Sequence, residues 1–331
     1  MAGAQWKHLL THPDLQRSSH VTTVVGHKLY IFGGELLPRK PRDDKTFCVD
    51  LAAAEPIVKA HSTSEAPSPR VGTASTTCNG NIYLFSGRGG TAMTAIDEDG
   101  GLWQFDPTNT KWTFVPRVDL SESYPQARSY HCMTSDGVSN IFLHAGCPSS
   151  GRLSDLWSFD VASRTWTQLP DAPAPARGGT SIAYHDGKLY RMNGFDGTAE
   201  QGSTIDVFDV SQKSWSTKKF EADGVHGPEA RSVAAFLPLT LKDRAMLVTL
   251  LGEHDPSSLG HAGAGKMLGD WWLYDIAADS WTRGESTVGG QEPAPRGWFD
   301  ADVVDSNKIV VTGGLSETNE RLGDVWVLLF E

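Results

Sequence analysis

The feature that most constrains how this chain can fold is an internal repeat, found six times along it. Each unit opens on an arginine: Arg17, Arg70, Arg128, Arg177, Arg231 or Arg296. It reaches a glycine 16 to 21 residues later, at Gly33, Gly87, Gly146, Gly194, Gly252 or Gly313. The third unit shows the pattern in full. After Ala127-Arg128-Ser129-Tyr130-His131 comes an alternating run, then a polar turn at Asp136-Gly137. A second apolar run, Ile141-Phe142-Leu143-His144, ends at Ala145-Gly146, and Asp155-Leu156-Trp157-Ser158-Phe159-Asp160 and Trp166-Thr167-Gln168-Leu169 follow. Four short runs rich in aromatic and β-branched residues, separated by Gly, Asp and Ser, predict a four-stranded antiparallel sheet, with strands a to d in order.

Strands c and d carry an Asp followed six residues later by Trp: Asp106 and Trp112, Asp160 and Trp166, Asp209 and Trp215, Asp275 and Trp281. The first unit has Asp50 but places Pro56 at the Trp position, which predicts a distorted or poorly paired outer strand. The sixth unit stops after Asp324-Val325-Trp326-Val327-Leu328-Leu329, without a strand d. Gln5-Trp6-Lys7-His8-Leu9-Leu10 matches the strand-d pattern, so the N-terminal segment is expected to supply the missing outer strand. Periodic units of this length cannot bury their faces alone and must stack. The expected fold is therefore all-β: a six-bladed β-propeller over residues 1–331, one domain, its ring closed by the N-terminal strand.

Composition narrows the function classes. The 331 residues include 34 Gly, 18 Pro and 11 Trp, too many turn-formers for long helices. Forty acidic residues against 29 basic ones give a net charge of -11. That balance argues against a nucleic-acid partner, whose affinity comes from Lys and Arg neutralising phosphates. No apolar run is long enough to span a bilayer, and the N-terminal residues lack the apolar stretch of a signal peptide, so a cytoplasmic protein without membrane contact is expected. Cys48, Cys78, Cys132 and Cys147 form no CxxC pair and read as buried thiols.

Glycines closing strand b, followed by the aromatic pair on c and d, resemble the kelch repeat over essentially the whole chain. Within that group the chain resembles the plant specifier proteins. The matching stretches are Ala127 to His131, Ala176-Arg177-Gly178-Gly179, Gly252-Glu253 with Gly260-His261-Ala262-Gly263-Ala264-Gly265, Arg296-Gly297-Trp298, and Thr318-Asn319-Glu320-Arg321. The resemblance implies an iron-dependent protein that redirects aglucones released from glucosinolates towards nitriles and related products. It also implies metal ligands at a Glu, an Asp four residues on and a His four residues after that. Glu253 and His261 fall in that register, but Ser257 holds the middle position, and the nearby carboxylate is Asp255.

Strand order places the b–c and d–a loops on one face, where a ligand site is expected. The b–c loops bring Glu35, Arg88, Cys147, Phe195 with Asp196, and Glu253 with Asp255 and His261 to that face. Tyr130 and Trp298, two residues beyond Arg128 and Arg296, are expected to project in the same sense as those arginines. A ring of Arg17, Arg70, Arg88, Arg231 and Arg296 with Tyr130, Phe195 and Trp298 as walls suits a small, partly apolar organic anion. Arg128 and Arg177, with Glu35, are the catalytic candidates. The alternative for the repeated arginines is structural, tying blades together through carboxylates or carbonyls.

Glu253, Asp255 and His261 form an N/O donor set suited to Fe(II). The competing reading pairs Glu253 with an arginine and leaves His261 to cap the glycine-rich turn, with His254 as a substitute ligand. Cys147, near His144 and His131, is a candidate nucleophile if positive charge lowers its pKa. Gly260 to Lys266 fits a phosphate-loop spacing, but Met267 replaces the magnesium-binding hydroxyl, and no such loop is expected. Two further functions stay open: a protein-interaction module using the same face, and a propeller enzyme acting on an unrelated secondary metabolite.

Overall fold

Alternation of apolar and polar residues between turn signals gives each unit four short strands, and the computed structural model shows them pairing in chain order. It describes residues 3–63, 65–118, 121–260, 263–286 and 290–330. In the third unit the order is Cys132–Ser135, Asn140–Gly146, Leu153–Asp160 and Thr165–Leu169, all antiparallel. Six sheets of this kind follow one another, and the sole helical segment among the described residues is the short 3-10 turn Pro13–Leu15. None of the helices described is long and apolar enough to cross a membrane.

The outer strand of the sixth sheet is Gly3–Thr11, antiparallel to Asp324–Phe330. The first unit differs from expectation. Its outer strand, Val58–His61, pairs in regular register with Thr46–Asp50. Pro56 lies before that strand, so its missing N–H interrupts no ladder.

Two sets of backbone contacts join successive sheets. The residue two beyond each repeat arginine donates its N–H to the equivalent carbonyl of the preceding unit. Ser19 bonds Trp298 (2.7 Å), Gly72 bonds Ser19 (2.9 Å), Tyr130 bonds Gly72 (2.7 Å), Gly179 bonds Tyr130 (2.8 Å), Val233 bonds Gly179 (2.9 Å) and Trp298 bonds Val233 (3.2 Å). The series returns to its start. All six residues are left-handed, with φ between 45° and 62°, a costly conformation for Val233 that the bonds on both sides hold in place.

In the second set, Gly87, Gly146, Gly194, Gly252 and Gly314 donate to the carbonyl of the next unit's arginine at 2.8–3.0 Å. This places the closing glycine of unit six at Gly314, one residue after Gly313, and the pairing of Ser18 with Glu35 places that of unit one at Gly34, one residue after Gly33. Gly146 shows why the position is glycine: φ is 102°, and a Cβ would lie 2.7 Å from that of His131.

The apolar core is divided into six clusters, each between two consecutive sheets. The strand-d tryptophans reach across these seams. Trp112 donates to Thr46 Oγ1 (2.8 Å), Trp166 to the Gly100 carbonyl (2.7 Å) and Trp215 to the Pro170 carbonyl (2.8 Å). Trp166→Phe should cost about 1–3 kcal/mol in denaturant melts, because the buried Gly100 carbonyl loses its donor. An unchanged midpoint would show that the seam does not depend on this bond.

Candidate functional site

The residue after each closing glycine pairs with the residue after the unit's arginine, which brings six equivalent positions to one mouth. They are Glu35, Arg88, Cys147, Phe195, Glu253 and Leu315, opposite Ser18, Val71, Ser129, Gly178, Ser232 and Gly297.

The repeat arginines, expected to line that mouth, are instead buried at 0–2% exposure. Each folds back over its own sheet. Nη1 donates to the carbonyl just before the closing glycine: Arg17 to Gly33 (2.7 Å), Arg70 to Ser86 (3.0 Å), Arg128 to Ala145 (3.0 Å), Arg177 to Asn193 (3.1 Å), Arg231 to Leu251 (3.0 Å) and Arg296 to Gly313 (2.9 Å).

The guanidinium groups also meet carboxylates entering strand c. Pairs form with Asp43, Glu98, Asp155, Asp270 and Asp324 at 2.6–3.2 Å, and Arg177 lies 3.8 Å from Asp206. In four units a tryptophan indole completes the set: Trp103 on Glu98, Trp157 on Asp155, Trp272 on Asp270 and Trp326 on Asp324. Burial alone would raise Asp270 and Asp324, but Arg231 and Arg296 outweigh it and hold both below the usual carboxylate range. Arg128 and Arg177, the catalytic candidates, therefore staple their sheets, as do Arg17, Arg70, Arg231 and Arg296.

Positive charge at the mouth comes from elsewhere. Arg88 is half-buried and donates to the Pro148 carbonyl (3.4 Å). Arg152, which the repeat register does not reveal, lies over the Phe195 ring at 5.1 Å. Both guanidinium charges act on the Cys147 thiol. Burial raises the Cys147 thiol and the two arginines only partly offset it, so it stays protonated near neutrality. Burial and nearby arginines likewise push His131 down to about 3 and His144 well below its ordinary value. The expected thiol nucleophile is therefore not activated.

Tyr130 and Trp298, from the third and sixth units, meet edge-to-face at 5.2 Å. A Cβ at Gly72 would sit 2.7 Å from the Tyr130 ring, so the small residue there seats the tyrosine. Burial and the Glu35 charge raise the Tyr130 hydroxyl, which keeps its proton. Glu35 itself accepts from Arg321 (3.1 Å) and from the Arg39 N–H (2.6 Å), while burial raises its carboxyl. These contacts make Glu35 a tether for the Arg321 loop.

Of the expected metal set, Glu253 and Asp255 lie within the described residues. Glu253 is buried, with Oε1 accepting from the Gly265 N–H (2.9 Å). Burial pushes its carboxyl up to about 7, the Gly265 N–H and the Trp298 indole pull it back, and Glu200 pushes it further. Glu200, outside the repeat register, also accepts from Ser232 Oγ (3.3 Å). Asp255, left-handed at φ 53°, is exposed and lies 3.4 Å from His254, which bonds the Ala230 carbonyl. His261 lies outside the described residues. Among the described residues, three donors come together only at the exposed Glu221, Asp223 and His226. Glu253, Asp255 and His254 do not by themselves assemble a three-donor set among the described residues.

The profile of the KLHDC2/KLHL20/DRC7 kelch-repeats domain matches residues 19–249. The chain belongs to this kelch family. As a kelch protein it shares its all-β, propeller-like fold with the solved structure of YjhT, at a TM-score of 0.73 and 14% identity over 96% of this chain and 95% of that one. It is 25% identical to an N-(sulfonatooxy)prop-2-enimidothioate sulfolyase of Thlaspi arvense over 94% of this chain and 91% of the relative. It is also 27% identical to Adagio-like protein 3 of Oryza sativa subsp. japonica and 26% to the kelch-like protein terF of Aspergillus terreus. This kelch chain spans about half the length of the Adagio-like relative, 47%.

Proposed function

We propose that the six sheets are the blades of a closed six-bladed propeller, and that its b–c mouth binds a small organic anion and steers its breakdown as a lyase of the specifier type. The observation that carries this reading is the pair Arg88 and Arg152. They come from adjacent units, Arg88 reaching the Pro148 carbonyl next to Cys147 and Arg152 lying over the Phe195 ring, and both charges act on the Cys147 thiol.

The relative's name describes a sulfonatooxy imidothioate, and an anion of that class suits this mouth. Two guanidinium groups can grip sulfonate oxygens by paired N–H donors. When sulfate departs with the electron pair of the N–O bond, its charge rises from one to two. Arg88 and Arg152 then bind the leaving group more strongly than the ground state, which is the condition for catalysis. The aromatic walls hold the apolar part and exclude water. Tyr130, which keeps its proton, and the Glu253 carboxyl, pushed up to about 7, can donate hydrogen bonds to the rest of the molecule.

Exposed Leu36, Leu37 and Leu259 in the b–c loops support a second reading, in which this face docks a protein partner.

The deciding experiment supplies the chain with a freshly released sulfonatooxy thiohydroximate and follows product distribution by chromatography. Wild type should divert the products, and Arg88→Ala/Arg152→Ala should lose this by on the order of tenfold or more, with an unchanged melting temperature. Wild type that leaves the products as they form spontaneously would overturn the lyase reading and favour a docking face.

A further inference from the structure

Five of the six repeat arginines hold a carboxylate of their own unit at 2.6–3.2 Å, and Arg177 of the fourth does not. Counting back five residues from the aspartate that ends strand c gives Asp155 from Asp160 and Asp270 from Asp275, but Thr204 from Asp209. The carboxylate of the fourth unit stands two residues on, at Asp206, where the third and fifth units have Trp157 and Trp272. There it faces Arg191 across the ladder, a pair that in the third unit is Trp157 and Leu143.

Asp206 is fully engaged at that position. It accepts from Arg191 Nη1 (2.9 Å) with one oxygen and from Thr217 Oγ1 (2.7 Å) with the other. Arg177 Nη2 is left 3.8 Å away, beyond hydrogen-bond reach. Asp196, which also acts on Arg177, is turned to the N–H groups of Thr198 and Ala199 and to the Gln201 amide. Among the described residues, Arg177 bonds only the Asn193 carbonyl through Nη1 and the Pro175 carbonyl through Nε. Arg191, for its part, keeps Nε without a partner.

Two guanidinium groups thus share one carboxylate, with all three side chains at 0–3% exposure. Burial, with Arg191 adding to it, pulls Arg177 down to about 10, so it stays charged at neutral pH. The positive field reaches His144, which burial first and then Arg191 and Arg177 push well below its ordinary value. A buried charge without a counter-charge is strongly unfavourable, and an anion that supplies one is favoured. Thr204 is half-buried and Ser203 beside it is exposed, so a small solute reaches this place from solvent.

We infer that the fourth unit completes its fork with a free carboxylate of formate or acetate size, held by Arg177 in the place where Asp155 and Asp270 stand in their own units. A planar oxyanion matches the guanidinium edge, as the bidentate pairs of Arg128 and Arg231 show with their aspartates. The enclosure selects a free small anion over the carboxylate of a peptide, because only 3% of the Arg177 side chain is exposed. This site rests on Arg177 and Arg191 and is independent of the Arg88–Arg152 mouth.

The test is thermal melting at constant ionic strength, with chloride exchanged stepwise for formate, on wild type, Thr204→Asp and Val225→Asp. Val225 is 72% exposed, so the two variants add the same charge beside the fork and away from it. Wild type should melt higher as formate replaces chloride, by on the order of 1–3 °C at saturation, because an anion bound only by the folded state stabilises it. Val225→Asp should keep that response. Thr204→Asp, which restores the pattern of the third and fifth units, should melt above wild type in chloride and lose at least roughly two-thirds of the response. Arg177→Lys, whose ammonium cannot reproduce the fork, should lose it as well and serves if Thr204→Asp does not fold. Benzoate, the same carboxylate on a larger body, should give less than roughly a third of the formate shift. No saturating rise with formate, an equal rise in Thr204→Asp, or an equal rise with benzoate would each overturn the proposal.

Discussion

Replacing Arg128 by Met is expected to destabilise the protein by about 3–5 kcal/mol, the range for breaking a buried ion pair by removing one partner. The guanidinium is fully buried and holds Asp155 through two nitrogens, at 2.6 and 2.8 Å, while also satisfying the Ala145 carbonyl. Without it, Asp155 keeps only the Trp157 indole as a partner seen here and remains a charge in poor solvent. The double variant Arg128→Met/Asp155→Leu should recover most of the loss, because it removes the stranded charge along with its partner. Arg128→Lys should recover little, since an ammonium cannot reproduce the fork. Urea midpoints of the three variants measure this. A loss below about 1 kcal/mol for Arg128→Met would put the arginine back among ligand-binding candidates.

That arginine also shows where sequence reading succeeds and where it stops. The repeat was legible because six units solve one packing problem with the same residue types, and the outer strand at Gln5–Leu10 was legible because it carries the same pattern. The partner of each arginine was not. The carboxylates that hold Arg17, Arg70, Arg128, Arg231 and Arg296 lie 26, 28, 27, 39 and 28 residues further on. That separation changes with b–c loop length, so no fixed spacing announces the pair. A buried staple and a ligand-binding ring leave the same periodic arginines in a sequence.

At Gly33-Gly34 and Gly313-Gly314 two adjacent glycines left the register open by one residue, and the pairing of Ser18 with Glu35 and the bond from Gly314 to the Arg17 carbonyl decided it. Arg152 and Glu200 sit in loops outside the repeat, where nothing in the sequence distinguishes them from solvated charges. The charge of the mouth thus depends on the least periodic residues of the chain, and its walls on the most periodic. Tyr130 and Trp298, expected to project in the same sense as Arg128 and Arg296, meet each other instead while those arginines fold back over their sheets, because the left-handed residue two beyond each arginine breaks the strand's alternation.

Glu253→Gln is expected to change how stability depends on pH. The Glu253 carboxyl stands at about 7 in the folded protein against an ordinary 4.5. A raised acid contributes stability that is present below 4.5 and lost as pH rises through 7, because over that window the folded state holds a proton the unfolded state releases. Asp300, at about 7, and Asp302, at about 6, act in the same direction. His20 and His131, lowered from 6.5 to about 3, act in the opposite one, since unfolding lets them take up protons as pH falls below 6.5. The wild-type profile blends these slopes, but the difference between wild type and Glu253→Gln isolates one group. Gln keeps an acceptor for the Gly265 N–H and carries no charge to bury. The variant should gain on wild type by roughly 3 kcal/mol in going from pH 4.5 to pH 8, as measured by denaturant melts at both ends. Parallel curves would mean that Glu253 titrates as an ordinary carboxylate, and that it does not carry a proton in the mouth at neutral pH.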